Sequence, residues 1–526
     1  MSDVPAGSPV EASLREEVAR LREAVAVRDA DLAARDAEIA ESRSQVARLE
    51  LLVAELTRRL GMDSSDSGTP SSKEPIGARE RRRAERRKRD EGLSSRERSA
   101  ERKRGGQPGH EGSGVRRDPD PDDVEPVQAP AACSGCGGGL ADGVDAGFGW
   151  AQVWDVEIVR RRVEYRLPRV RCACCGKVTT AQPPEGQAGT VSYGRVLNAA
   201  AVLLGNYANV PTERAANVIG MLFGEAVSAG FVDRAAQRLA ERLDAAGFDE
   251  AMRAALLAEP VLGADESPVN VLRPDTDPDT DPDTGAPVPG SAQVMAVRTL
   301  DERLVWLRPL ASRAAGSVLA ALKGFAGYLV VDGYSSYQQL LTTVKGIQQC
   351  VQHVIRRCRG VAKLGPGNLQ SWTGEVQAAL REVHTAVQAA KAAGQAAIDP
   401  DLLTDLRDRY DQAVAFGQAH NRRRPWHDGN HPAHTLANWL ATYADQVWLY
   451  ATVFDVDWTN NASERAIKDP KRRQAVSGYW HTQQTLGRYC KIRSYLVSAR
   501  NHGVQAIDAI HAALAGNPWL PAITMA

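Results

Sequence analysis

The chain has 526 residues, too many for one hydrophobic core, so three or more domains are expected. Its 65 basic and 65 acidic residues balance, which excludes a protein that coats nucleic acid by bulk charge. No apolar run approaches the roughly 20 residues needed to span a bilayer, and the acidic N-terminus lacks the hydrophobic centre of a secretory signal. A cytoplasmic protein without a membrane partner is expected, with cysteines serving as thiols or metal ligands and not as disulfides.

From Leu14 to Leu60, seam positions recur in alternating steps of four and three, broken only by Arg28, Arg35 and Ser42. The pattern predicts a leucine-zipper-like coiled coil over residues 1–60, because a lone helix would leave its seam wet. Packing back onto the same chain is the alternative. Residues 61–115 are rich in Ser, Gly, Pro, Arg and Glu and have no period that would bury a core. Their markedly basic run from Arg79 to Arg104 reads as a disordered tether that binds phosphate by releasing counterions, or as a merely soluble linker.

Over 116–185, Cys133-Ser-Gly-Cys136-Gly and Cys172-Ala-Cys174-Cys175-Gly flank an alternating, strand-like stretch from Trp150 to Arg171. Cys133, Cys136, Cys172 and Cys175 are then candidate ligands of one tetrahedral, structural Zn²⁺ in a zinc-ribbon-like module. Cys174 reads as a bystander, and a redox pair or unliganded buried thiols are the alternatives. Residues 186–255 carry helical spacing broken at Gly220, Gly224 and Gly230. A helix-turn-helix-like DNA-binding segment fits, although any small helical bundle shows the same pattern.

Asp265 in LLAEPVLGADESPVNVL and Asp332 in GYLVVDGYSSY each follow an apolar run bounded by turn residues, the signature of a buried strand. Between them lie a Pro-interrupted loop, strands near 292–299 and 304–308, and a helix near 312–325. Three strands, a helix and a fourth strand bearing the second acid follow the order of a ribonuclease H-like α/β core, with a first part over 256–345. A helical insertion over 346–431 carries Cys350, His353 and Cys358, read as ordering groups, metal ligands or ordinary buried side chains. The core's second part spans 432–515, before a tail at 516–526. The histidines His427, His431 and His434 read as a polar loop entering a helix. Glu464 follows the capping residues Thr459, Asn460 and Asn461, which places it on a helix. Two strand-borne acids and one helix-borne acid suit a pair of Mg²⁺ ions, which take oxygen ligands and leave positions for phosphate. Glu266, one residue from Asp265, points to the opposite face of a strand and is the poorer ligand.

The Asp-Glu-Ser at Asp265 to Ser267, the Asp-Gly-Tyr at Asp332 to Tyr334 and the Asn-Asn-Ala-Ser-Glu-Arg from Asn460 to Arg465 resemble the bacterial insertion-sequence transposases of the family numbered sixty-six. Gly105 to His110, the paired Cys knuckles and the zipper-like helix extend the resemblance over nearly the whole chain, in the family's order. The stretch from Lys468 to Val476 departs from it. The resemblance implies a DNA transposase whose Asp265, Asp332 and Glu464 bind two Mg²⁺ or Mn²⁺ ions, cut strands at terminal inverted repeats and join them to target DNA. Arg465, Lys468, Lys471, Arg472 and Arg473 would then contact backbone phosphates without reading sequence. A homodimer or higher assembly on paired DNA ends and small accessory proteins of the same element are the implied partners. Two other readings remain open: a nuclease or resolvase that cuts without joining, and a DNA-binding regulator without catalysis.

Overall fold

The computed structural model describes residues 16–32, 35–39, 41–42, 45–46, 116–183, 191–272, 290–310, 315–427 and 429–522. The expected tether, the second half of the heptad run, the Pro-interrupted loop and the last residues of the tail lie outside them. Contacts divide the chain into two units, residues 83–183 and the remainder. The N-terminal segment is helical over 16–32 and 35–39, and its seam residues Val18, Leu21, Val25, Leu32 and Ile39 are 45–59% exposed.

In the smaller unit, β1 (Arg169–Arg171) pairs with antiparallel β2 (Val178–Thr180). Both knuckles are tight turns. The Gly137 N–H donates to the Cys133 carbonyl and the Gly176 N–H to the Cys172 carbonyl, each at 2.9 Å. Gly137 and Gly176 have φ of 75° and 70°, the left-handed region that glycine adopts without penalty. The stretch expected to be strand-like is a strand only at its end. Trp150 and Trp154 are each 61% exposed, and no ladder partner meets them among the described residues. Alternation makes a strand only where a second strand accepts its backbone hydrogen bonds.

The larger unit begins with α1 (Arg195–Val202), α2 (Thr212–Phe223), α3 (Ala229–Ala245) and α4 (Phe248–Leu257). Gly224 ends α2 at φ 64°, and the Ser228 hydroxyl accepts the Phe231 N–H at 3.1 Å to start α3. A mixed sheet follows, made of β3 (Val261–Val271), β4 (Gly290–Thr299), β5 (Val305–Leu310), β6 (Tyr328–Val331) and β7 (Gly346–Gln349), with α5 (Ala315–Leu322) before β6. The strand order is β5-β4-β3-β6-β7; β4 is antiparallel to β3 and β5, whereas β3, β6 and β7 are parallel. The fifth strand lies inside the stretch expected to open the helical insertion. Its four residues are too short to carry a period.

Helices α6 (Val351–Ala362), α7 (Trp372–Ala392), α8 (Pro400–Asn421), α9 (Pro432–Thr442) and α10 (Ala444–Thr452) come next. They share one apolar core, from Val351 to Val456, that also takes in Val261 and Val330 of the sheet. The chain then adds α11 (Asn461–Ser477), α12 (Gln483–Asn501) and α13 (Ala506–Leu514). One sheet face, with Leu262, Ala264, Met295 and Val297, packs on α1 to α5 and α13. The expected DNA-binding helices are thus part of the same body as the sheet. The other face, with Val269, Val294 and Ala296, packs on Ile467 of α11 and Leu486 and Cys490 of α12.

Candidate active site

The register of the parallel pair sets the site. Gly263 of β3 lies opposite Val330 of β6. Two residues further along each chain stand Asp265 and Asp332, so continuing the register brings Asp265 level with Asp332 just past the end of β6, and the period of two turns them to one face. Asp332 sits one residue beyond β6, where its Oδ1 accepts the Tyr334 N–H at 2.9 Å and closes a turn that orients the carboxylate. Glu464 lies in the first turn of α11, the helix packed across that face.

Asn460 ties α11 to the sheet. Expected as a capping residue, it makes no side-chain cap bond. Its Nδ2 instead donates to the Ala264 carbonyl at 2.6 Å, and its backbone N–H donates to Cys350 Sγ at 3.2 Å. The Trp458 carbonyl accepts the Val351 N–H at 2.9 Å, so the approach to α11 is joined to β3 and to the β7–α6 junction together. Under the helix, the buried Arg298 donates through Nε to Ser463 Oγ at 3.0 Å and through Nη1 to the Thr299 carbonyl at 2.9 Å. Gly263 completes this seat. A Cβ there would stand 2.8 Å from Ser463 Oγ and 3.0 Å from Arg298 Nη2.

Burial raises the Asp265 carboxyl well above the usual carboxylate range; the charges of Asp332, Glu266 and Glu464 add to the rise, and Lys471 opposes it. Glu464 is approached by the His353 imidazole, with Nε2 3.5 Å from Oε1, and by the Arg356 guanidinium, with Nη2 3.8 Å from Oε2. That Oε1 is buried and has no hydrogen-bond partner. Burial lowers the pKa of His353, and Arg356 and Arg357 lower it further against Glu464 and Asp332. The donor atoms of Cys350, His353 and Glu464 all lie within 4.8 Å of one another. Cys358 lies buried in the helical core, outside this group. Like charges gathered in a poorly solvated place, with a carboxylate oxygen left unpaired, are a donor set that a hard divalent cation suits.

Other residues singled out in the sequence take different places. Glu266 faces away from the cluster, as strand parity requires, and its Oε2 accepts the Tyr337 hydroxyl at 2.6 Å. Arg465 pairs with Glu302, Arg472 with Asp469 at 3.1 Å, and Lys468 is exposed. Arg473 turns inward, where its guanidinium donates to the Val210 carbonyl. His431 caps α9 by accepting the Ala433 N–H at 3.1 Å, and His434 meets the Asn438 amide at 3.1 Å. The Cys133 thiol is lowered by the N–H groups of Cys136 and Gly135, and the Cys172 thiol by those of Cys175 and Cys174. Each knuckle thus favours thiolate within its own turn. Among the described residues, these thiols form no group of three or more within the span that gathers Cys350, His353 and Glu464.

Residues 190–487 match the model of the Transposase IS66 family. The chain belongs to this family. The match runs from before α1 into α12 and includes all three acids. No curated protein matches this family member. Among solved structures, the Drosophila P element transposase strand transfer complex is similar at 13% identity and a TM-score of 0.31, over 60% of this chain and 94% of that one. Sequence reasoning missed Arg298, Gly263 and the tethering role of Asn460 in this transposase-family chain. It offered Cys358 as a further metal partner of Cys350 and His353, whereas their partners come from the start of α11, more than a hundred residues on. No helix among the described residues is long and apolar enough to cross a membrane.

Proposed function

We propose that the chain is a DNA transposase that cuts at the terminal inverted repeats of its element and joins the cut strand to target DNA, with Asp265, Asp332 and Glu464 as the acid trio. The observation that carries this reading is the β3–β6 register, which sets Asp265 level with Asp332 beneath the helix that bears Glu464. The strand order, three antiparallel strands continued by two parallel ones, supports a ribonuclease H-like core. The three carboxylates would hold divalent cations, Mg²⁺ or Mn²⁺, which supply charge neutralisation at the phosphate and a more acidic bound water or hydroxyl. His353 and Arg356 orient the Glu464 carboxylate, and Asn460 holds its helix to β3. Arg465, Lys468 and Arg472 are exposed along α11 and Lys471 is half-buried among them, and there they bind phosphate by charge and hydrogen bond. Arg473 acts indirectly, by anchoring α11 to the loop before α2. Double-stranded repeat and target DNA are the substrates, a dimer or larger assembly on paired ends is the working form, and accessory proteins of the element are the further partners.

The test uses labelled linear DNA ending in the flanking repeats, with Mg²⁺, Mn²⁺ or EDTA. Asp265→Ala, Asp332→Ala or Glu464→Ala is expected to lower strand cleavage by about a thousandfold or more while leaving end binding nearly intact. Cleavage retained by Asp332→Ala rejects the trio. Products joined to a target plasmid separate a transposase from a nuclease, and binding without any nicking favours a regulator. The knuckle thiols Cys133, Cys136, Cys172 and Cys175 are proposed ligands of one structural Zn²⁺. Metal analysis is expected to find about one zinc per chain, lost in Cys136→Ser with Cys175→Ser; an unchanged zinc content would reject these ligands.

A further inference from the structure

Beside Asp332 the surface opens into a cleft of about 260 Å³ bounded by the turn after β6, the end of β7, α6 and α9. One wall is the indole of Trp439, with the Arg357 guanidinium 4.4 Å from its ring centre. Gly333 keeps the cleft open. An added Cβ would stand 3.4 Å from Trp439 Cζ2 and 3.6 Å from Arg357 Nη1, so a larger side chain would extend into the space between them. Two lining residues carry buried polar atoms with no hydrogen-bond partner, Gln349 Oε1 and His353 Nδ1, and Gln349 is only 1% exposed. A buried acceptor left unpaired costs stability, so its persistence points to a donor that arrives from outside.

A ligand of this cleft would lie against the Trp439 indole and the Arg357 guanidinium beside it, offer an N–H donor at its edge to Gln349 and sit next to Asp332. An unstacked nucleobase has these properties, because its face stacks on aromatic rings and its edge amino or imino groups donate hydrogen bonds. A phosphate fits less well, since it brings no N–H to the Gln349 acceptor, and Asp332 lines the cleft opposite the charge of Arg357. We propose that this cleft receives one unpaired base of the DNA end, next to the bond that is cut. The proposal rests on the transposase reading and deepens it. Trp439, carried by the helical layer, would give those helices a part in handling the substrate.

The experiment places 2-aminopurine singly at each position near the repeat tip and records its fluorescence on binding in Ca²⁺, alongside end binding by anisotropy and cleavage in Mg²⁺. Wild-type protein is expected to change the fluorescence at one position. Trp439→Ala is expected to lose that change and to cut paired ends about ten- to a hundredfold more slowly, with end binding within about threefold of wild type. Trp439→Phe should recover most of the rate, and Gln349→Leu should slow cutting with some bases at that position more than others. An abasic nucleotide there should narrow the difference between wild type and Trp439→Ala. Unchanged cleavage of paired ends by Trp439→Ala, or wild-type cleavage with no fluorescence change at any position, overturns the pocket alone. A wild-type protein that cuts no DNA end overturns the proposed function and the base pocket with it.

Discussion

At the scale of single residues, the space between β3 and α11 at Gly263 has no room for a methyl group. The close approach lets Arg298 reach Ser463 from beneath the helix, one residue before Glu464. Gly263→Ala must push aside either Ser463 or the buried guanidinium, at a cost of about 1–3 kcal/mol for overpacking. A displacement of the helix carrying the third acid should also be felt in the chemistry. Cleavage is expected to fall about ten- to a hundredfold, with end binding retained. Adding Ser463→Ala, which removes the nearest obstructing atom, should restore part of the rate; a Gly263→Ala protein that cuts at the wild-type rate would show that the seat is not tight. Neither Gly263 nor Arg298 announces itself in the sequence. Glycine and arginine in strands have many ordinary uses, and only the packed helix makes these two special.

At the scale of elements, β5 is an edge strand and would expose its backbone donors to other chains. Helix α12 covers that edge, and two serine hydroxyls complete the pairing, with Ser494 Oγ accepting the Leu307 N–H at 2.8 Å and Ser498 Oγ accepting the Val305 N–H at 3.0 Å. Both serines are fully buried. Replacing either with alanine leaves a buried N–H unpaired, so each is expected to cost about 1–3 kcal/mol. Urea unfolding of Ser494→Ala with Ser498→Ala should show a lower midpoint at nearly the same slope; an unchanged midpoint would mean that water or the helix backbone replaces the hydroxyls. Four of the strands were legible, because β3 to β5 are long enough to show a period and β6 is an apolar run, Leu329 to Val331, just before Asp332. The fifth strand and the true role of Asn460 were not, since four residues carry no period and a capping sequence does not reveal what its side chain reaches.

At the scale of the whole molecule, the seam of the N-terminal helix is apolar and exposed, with Leu21 at 59% and Leu32 at 58%. An exposed heptad stripe of this kind is stabilised by a second helix, and a second copy of the chain supplies one. Sedimentation of the full chain is expected to give a dimer or larger species, and Leu21→Lys with Leu32→Lys should shift it to monomer while the larger unit stays folded. A wild-type monomer at micromolar concentration would count against the zipper. The same scale shows what joins helices α1 to α4 to the sheet. Their apolar faces have the period of any amphipathic helix, and it is the shared core with the sheet that makes them part of the larger unit.

The sequence by itself determined the strands β3 to β6, the helices that follow them, the two knuckle turns, the helical position of Glu464 and the three acids as the group to watch, because periodicity, caps and short motifs are local and act over a few residues. Tertiary structure alone decided that Asp265 and Asp332 stand level, that His353 and Arg356 meet Glu464, that Asn460 joins β3 to α11, and that Trp439 closes a cleft beside Asp332. Each of these contacts joins residues dozens to hundreds of positions apart, and strand register and helix packing, which no local pattern encodes, bring them together.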